Sequence, residues 1–135
     1  FAPIEILDEV RSALPPETKL LCDFDPDFVI TADRDQMYRV FNNLTRNAAQ
    51  AGAEIITLSG HQNDLQSIID ICDDGPGLPP RAQEKLFMPF EGSARKGGAG
   101  LGLAIARELL NVQGGDLILQ DTGANGSIFR ISLPR

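Results

Sequence analysis

Residues 34–51 read RDQMYRVFNNLTRNAAQA, and the spacing of their apolar members decides the fold. On a helix turning about 100° per residue, Met37, Val40, Phe41, Leu44, Ala48 and Ala51 fall on one side. Asp33, immediately ahead, carries the side-chain acceptor that an N-cap needs, and Gly52, immediately after, suits a helix stop. A long helix with one apolar face needs a second layer to cover it. The flanking segments are rich enough in β-formers to build that layer.

Downstream, Glu54 to His61 and Gln66 to Cys72 read as two strands around the polar Gln62-Asn63-Asp64 turn, a hairpin. Asp73 to Pro80 is turn chemistry, Arg81 to Leu86 suits one or two helical turns, and Glu91 to Gly98, with almost nothing to bury, reads as a mobile loop. Leu101 to Val112 returns to helical spacing, with Leu101, Ala104, Ile105, Leu109 and Val112 on one stripe and Leu103 and Leu110 opposite, which predicts two neighbours. After Gly114-Gly115, Asp116 to Gln120 and Ser127 to Leu133 alternate like strands around the Gly123 to Gly126 turn. Upstream, Ile4 to Leu14 has helical spacing until Pro15-Pro16 stops it, and Lys19 to Ala32 suggests two short strands joined at Asp25-Pro26-Asp27. The expected fold is a single α+β domain over residues 1–135. It is a two-layer sandwich whose mixed, mostly antiparallel sheet is covered on one face by helices.

A chain of 135 residues with 42% hydrophobic content suits one globular domain. Nineteen acidic against 12 basic residues give a net charge of -7 with no basic cluster, so nucleic acid is excluded as a first partner. Cys22 and Cys72 stand alone in apolar runs, which predicts buried structural thiols and a reducing cytoplasm. No apolar run approaches the roughly 18 residues of a membrane span, so direct membrane contact is not expected. The chain opens on Phe1 rather than Met, which reads as a domain taken from a longer protein.

Asn43 and Asn47, one helical turn apart, lie roughly 80° to 120° from the centre of the apolar stripe, at the shoulder where core meets solvent. An amide oxygen there is a hard ligand suited to Mg²⁺ or to orienting a water; taken alone, the pair also reads as two solubilising asparagines. Asn42, Arg39 and Arg46 point further toward solvent. Asp73-Asp74-Gly75-Pro76-Gly77 follows a strand directly, so its first carboxylate leaves the sheet edge where it can accept from an exocyclic amine, or serve as an ordinary acidic turn. Gly97 to Gly102 places glycines at a helix start, where backbone N–H groups and the helix dipole favour phosphate oxygens. It is neither a Walker A loop nor a Rossmann fingerprint, which need a Lys-Ser/Thr ending and a preceding strand respectively. Arg95 and Lys96 could neutralise phosphate charge there, or simply be solvated. Phe87 and Phe90 read as core or anchor residues, and the lone His61 as a surface residue without a role.

Taken together, Asn43-x-x-x-Asn47-Ala48, Asp73-x-Gly75-x-Gly77, Leu86-Phe87-x-Pro89-Phe90 and Gly98-x-Gly100-Leu101-Gly102-Leu103 occur in the order of an N box, a first glycine box, an F box and a second glycine box. The chain closely resembles the catalytic ATP-binding domain of bacterial sensor histidine kinases. The resemblance implies a Bergerat-type ATP fold, with the adenine amino group bonded by Asp73 and Mg²⁺ held by Asn47. It implies that Asn43 lies near the γ-phosphate, that Gly75 and Gly77 curve the backbone beside adenine, and that the box with Gly98, Gly100, Leu101 and Gly102 binds phosphate. The implied partners are a dimerisation domain bearing the acceptor histidine, which this chain lacks, and a response regulator downstream. The parent protein would act in the cytoplasm or anchored at the inner membrane. Two residues depart from the common pattern: Gln50 stands where many of these kinases have a basic residue, shifting phosphate neutralisation to Arg95 and Lys96, and Gln113-Gly114-Gly115 replaces His-Gly-Gly at a site remote in sequence from the nucleotide motifs.

The first functional expectation is donation of the ATP γ-phosphoryl group to a histidine on a separate domain. The second is a related ATPase of the gyrase, chaperone or mismatch-repair type, which needs a glutamate base where Asn43 stands; an amide is no general base. A serine-directed anti-sigma kinase of the same fold and a degenerate, non-catalytic scaffold complete the alternatives.

Overall fold

Asp33 Oδ1 accepts the Gln36 N–H at 2.9 Å and so opens the long helix at Arg34. In the computed structural model, which describes residues 1–84, 86–88 and 102–135, the elements in chain order are α1 (Ile4–Ser12), β1 (Lys19–Asp23), α2 (Arg34–Gln50), β2 (Ile55–Gln62), β3 (Gln66–Asp73), α3 (Pro80–Glu84), α4 (Gly102–Asn111), β4 (Asp116–Gly123) and β5 (Gly126–Pro134). Helix α1 stops short of Leu14 because Ala13 and Leu14 donate to carbonyls three residues back and tighten the last turn ahead of Pro15.

Among the described residues five strands form one sheet in the order β1-β2-β3-β5-β4. Strand β1 runs parallel to β2, with α2 as the crossover, and the other three pairings are antiparallel. The register places Leu58, Ile71, Phe129 and Leu119 in one row across the sheet and Ser59, Asp70, Arg130 and Ile118 in the next. Because side chains alternate, the first row faces the helices and the second faces away. Val10, Met37, Phe41, Leu44, Leu103 and Leu110 close over Ile56, Leu58, Ile69, Leu117 and Ile131, all buried. The outward row exposes Ile118 and carries a two-pronged ion pair, Arg130 Nε and Nη2 donating to Asp70 Oδ1 and Oδ2 at 2.8 and 3.0 Å.

The structure corrects two expectations and meets a third, for α4. Residues 28–32 form no strand: Phe28 and Ile30 are buried, but the segment leaves the sheet and lies against the amino terminus, Ile30 N–H donating to the Phe1 carbonyl at 2.8 Å and the Phe1 ammonium donating back at 2.9 Å. The cause is aromatic packing. The Phe24 and Phe28 rings stack at 5.4 Å over Gly60, where any Cβ would crowd both rings. Helix α4 packs on α2 and on β4, the two neighbours expected of its two apolar sides; its Leu103, Ala106 and Leu110 side is buried, while Val112 just beyond it is 68% exposed. Cys22 and Cys72 are free and half-buried rather than buried, with burial raising both thiols above their ordinary value.

The α4 assignment is tested by paired truncations. Leu110→Ala should cost ~2–5 kcal/mol in urea unfolding and Val112→Ala less than ~0.5 kcal/mol; equal losses would reverse the faces.

Candidate functional site

The apolar stripe of α2 is pinned between sheet and α4, so the rotation of the helix is set and its shoulder residues are placed with it. Asn43 and Asn47 are both half-buried on that shoulder. Helix α4 begins against them. A Cβ added at Gly102 would lie 3.9 Å from both the Asn43 Cβ and the Asn43 carbonyl oxygen, so the first turn of α4 and the middle of α2 are in contact. The other end of that pairing is tied by Gln113, whose Oε1 accepts the Asp33 N–H at 2.7 Å while Nε2 donates to the Leu109 carbonyl at 3.0 Å. Remote in sequence from the nucleotide motifs, Gln113 thus joins the start of α2 to the end of α4.

Asp73 closes β3, in register with Ile56 on one side and Ser127 on the other, on the sheet face that looks toward the helices. Its Oδ1 accepts the Gly75 N–H at 2.9 Å, and Gly75 is itself buried within van der Waals reach of Ala53, just beyond α2. Gly77 adopts φ +80°, and a Cβ there would collide with the Gly123 carbonyl oxygen, so the loop lies on the β4–β5 tip at a distance that only glycine permits. Leu78 N–H donates to Thr122 Oγ1 at 2.9 Å, and that hydroxyl shares a hydrogen bond with the buried Ser127 hydroxyl at 2.8 Å. Asp74 fastens the same loop from the other side, its Oδ1 accepting the Glu54 and Ile55 N–H groups at 2.7 and 3.0 Å. The Ile55 hydrogen bond first, with those of Glu54 and of its own backbone, holds this carboxyl below its ordinary value against the opposing effect of desolvation.

The structure therefore brings Asn43, Asn47 and Gly102 together with one another through α2 and α4, and Asp73, Gly75 and Gly77 through the strand exit. Arg95, Lys96, Gly98, Gly100 and Leu101, the rest of the F box at Pro89 and Phe90, and the expected 91–98 loop lie outside the described residues. His61 is exposed on β2, paired across the sheet with Ile68. Asn42 does not point to solvent as expected: it is half-buried, and its Oδ1 is buried without a hydrogen-bond donor among the described residues. Sequence reading missed Asp74, Thr122, Ser127 and Gln113. Asp74, Thr122 and Gln113 meet backbone groups of other elements, and Ser127 meets the Thr122 hydroxyl across the β4–β5 hairpin, which no local spacing announces.

Residues 32–135 match the family described as histidine kinase-, DNA gyrase B-, and HSP90-like ATPase. The sensory histidine kinase/phosphatase NtrB of Shigella flexneri is 42% identical over 122 residues, covering 80% of this chain and 35% of that protein, so the chain spans about a third of this relative's length. The solved catalytic domain of histidine kinase ThkA, nucleotide-free, superposes with a TM-score of 0.83 at 26% identity over 99% of this chain and 93% of that one. Full-length ShkA, solved in complex with AMPPNP, gives a TM-score of 0.80 at 25% identity over 96% of this chain and 29% of its own.

A carboxyl held low in the folded state adds stability above its unfolded value and loses it as pH falls through the folded one. For Asp74 that loss falls below about pH 4. Asp74→Asn, which keeps the acceptor but not the charge, should show a smaller drop in urea midpoint than the unsubstituted chain between about pH 5 and pH 3. Gly77→Ala should cost more than ~1 kcal/mol in the same unfolding measurement, from the collision and the positive φ together.

Proposed function

Because the chain belongs to the family of histidine kinase-, DNA gyrase B-, and HSP90-like ATPases, we propose that it binds Mg·ATP between α2, α4 and the β3 exit and donates the γ-phosphoryl group to a histidine on a separate dimerisation domain. The observation that carries the reading is the meeting of the α4 start with Asn43 on α2, together with an Asp73 carboxylate at the β3 exit on the sheet face turned to the helices. In this reading Asp73 accepts from the exocyclic amine of adenine, its orientation held by the Gly75 N–H. Gly75 and Gly77 let the backbone curve close to the base, and Ser127, opposite Asp73 on the same face, borders it. Asn47 offers Mg²⁺ a hard amide oxygen on the face shared with Asn43, and the bound ion supplies neutralisation of the triphosphate. Gly102 directs helix N–H groups toward the phosphates. Arg95, Lys96, Gly98, Gly100 and Leu101 complete the proposed phosphate site by their match to the family motif.

Phosphoryl transfer needs positioning and charge stabilisation from the protein, while the acceptor imidazole supplies the nucleophile. Hydrolysis needs a base to activate water, and Asn43 provides an amide where a gyrase-type enzyme needs a carboxylate. The geometry thus favours transfer over hydrolysis. The partner is then an acceptor-histidine domain of the same protein and, after it, a response regulator in the cytoplasm. Among the described residues no helix is long and apolar enough to cross a membrane.

Calorimetric titration with AMPPNP tests the reading. Binding should strengthen with Mg²⁺. Asp73→Asn should weaken it by at least about tenfold, the scale of one charge-assisted hydrogen bond, and Asn47→Ala should remove the Mg²⁺ dependence. His61→Ala should change neither. Failure of the folded chain to bind any adenine nucleotide would overturn the assignment.

A further inference from the structure

Three elements meet on one side chain that belongs to none of the four boxes. Arg107 of α4 donates from Nε to Asp116 Oδ1 at 3.0 Å, at the first residue of β4. Its guanidinium carbon also lies over the Phe87 ring, 4.6 Å from the centroid. Phe87 is half-buried against the core and sits in the described segment 86–88. The Arg107 and Asp116 side chains are 39% and 43% exposed, and an ion pair that open to water contributes little to stability. Its effect is orientation. A guanidinium is planar, so a bond at Nε fixes its plane as well as its position, and the ring beneath is confined to match.

Arg107 and Gly102 share α4, and the Gly102 end of that helix packs on Asn43. The Asp73 end is built by other contacts, Gly75, Asp74 and the Thr122–Ser127 pair, none of which involves Arg107. We propose that Arg107 is a positioning residue for the triphosphate, holding Phe87 on α4 from Asp116 so that Phe87 and the start of α4 at Asn43 keep one fixed spacing. The inference rests on the Mg·ATP reading above and assigns it a side chain outside its motifs. Because the adenine and phosphate ends have separate supports, loss of Arg107 should be felt by a triphosphate and not by a nucleoside.

The test compares AMPPNP, by calorimetry with Mg²⁺, and adenosine, by NMR titration, on the chain and its variants. Arg107→Ala and Phe87→Leu should each weaken AMPPNP about tenfold, and the double variant no further, because each acts through the other. Adenosine affinity should stay within about twofold. Asp116→Asn, which keeps an oxygen acceptor for Nε, should retain AMPPNP affinity, while Asp116→Ala should reproduce the Arg107→Ala loss. If Arg107→Ala does not fold, Arg107→Lys carries the same expectation, since an ammonium cannot hold a plane between ring and carboxylate. AMPPNP affinity unchanged by these variants, an equal loss for adenosine, or losses that multiply in the double variant would overturn the positioning role while leaving the nucleotide reading intact. No AMPPNP binding by the unsubstituted chain would overturn both.

Discussion

The apolar stripe of α2 is the constraint from which the rest follows. Met37, Val40, Phe41 and Leu44 are buried to within a few per cent, and each is worth roughly 1.5–3 kcal/mol removed from water. With that stripe turned to the sheet, the helix cannot rotate about its axis without exposing it. Asn43 and Asn47 are then placed at the shoulder, and α4 must approach from the same side to cover what α2 leaves open. A polar site at a core edge is obtained as a by-product of packing.

The strand exit depends on a different kind of force. It buries little, and it is held by hydrogen bonds to backbone groups that would otherwise be left without partners at the ends of strands. Asp74 answers the N–H groups where β2 begins, Thr122 answers the N–H of Leu78, and Gly77 lets the loop sit directly on the β4–β5 tip. Asp73 is therefore presented at the head of a loop that hydrogen bonds fasten on both sides. The two groups of residues have different origins, apolar packing for α2 and α4, polar satisfaction for the loop, and they respond to different substitutions.

Gln113 and Arg107 connect the α4 side to the frame. Both lie on or just past α4 and reach other elements, Gln113 to the Asp33 N–H at the α2 start and Arg107 to Asp116 and Phe87. Helix α4 is thereby attached at its beginning by packing on Asn43 and toward its end by polar contacts. A glutamine at position 113 serves as well as another side chain with a donor and an acceptor, which is why departure from the His-Gly-Gly pattern leaves the joint intact.

Much of this was legible along the chain because it is local. Helical spacing from Met37 to Ala48, the Asp33 cap, the two hairpins and the acid-glycine run after β3 depend on residues within a few positions of one another, and local sterics and periodicity reveal them. The sequence by itself also determined the family resemblance, since ordered motifs are a property of the string. Tertiary structure alone decided that Phe28 and Ile30 leave the sheet, because Gly60 gives two stacked rings a place to lie. It decided which side of α4 is buried, since both sides are apolar and only the neighbouring layers distinguish them. It decided the work of Asp74, Thr122, Ser127 and Arg107, whose partners are backbone atoms, a hydroxyl, a carboxylate and a ring on other elements, brought near by the closing of the sandwich.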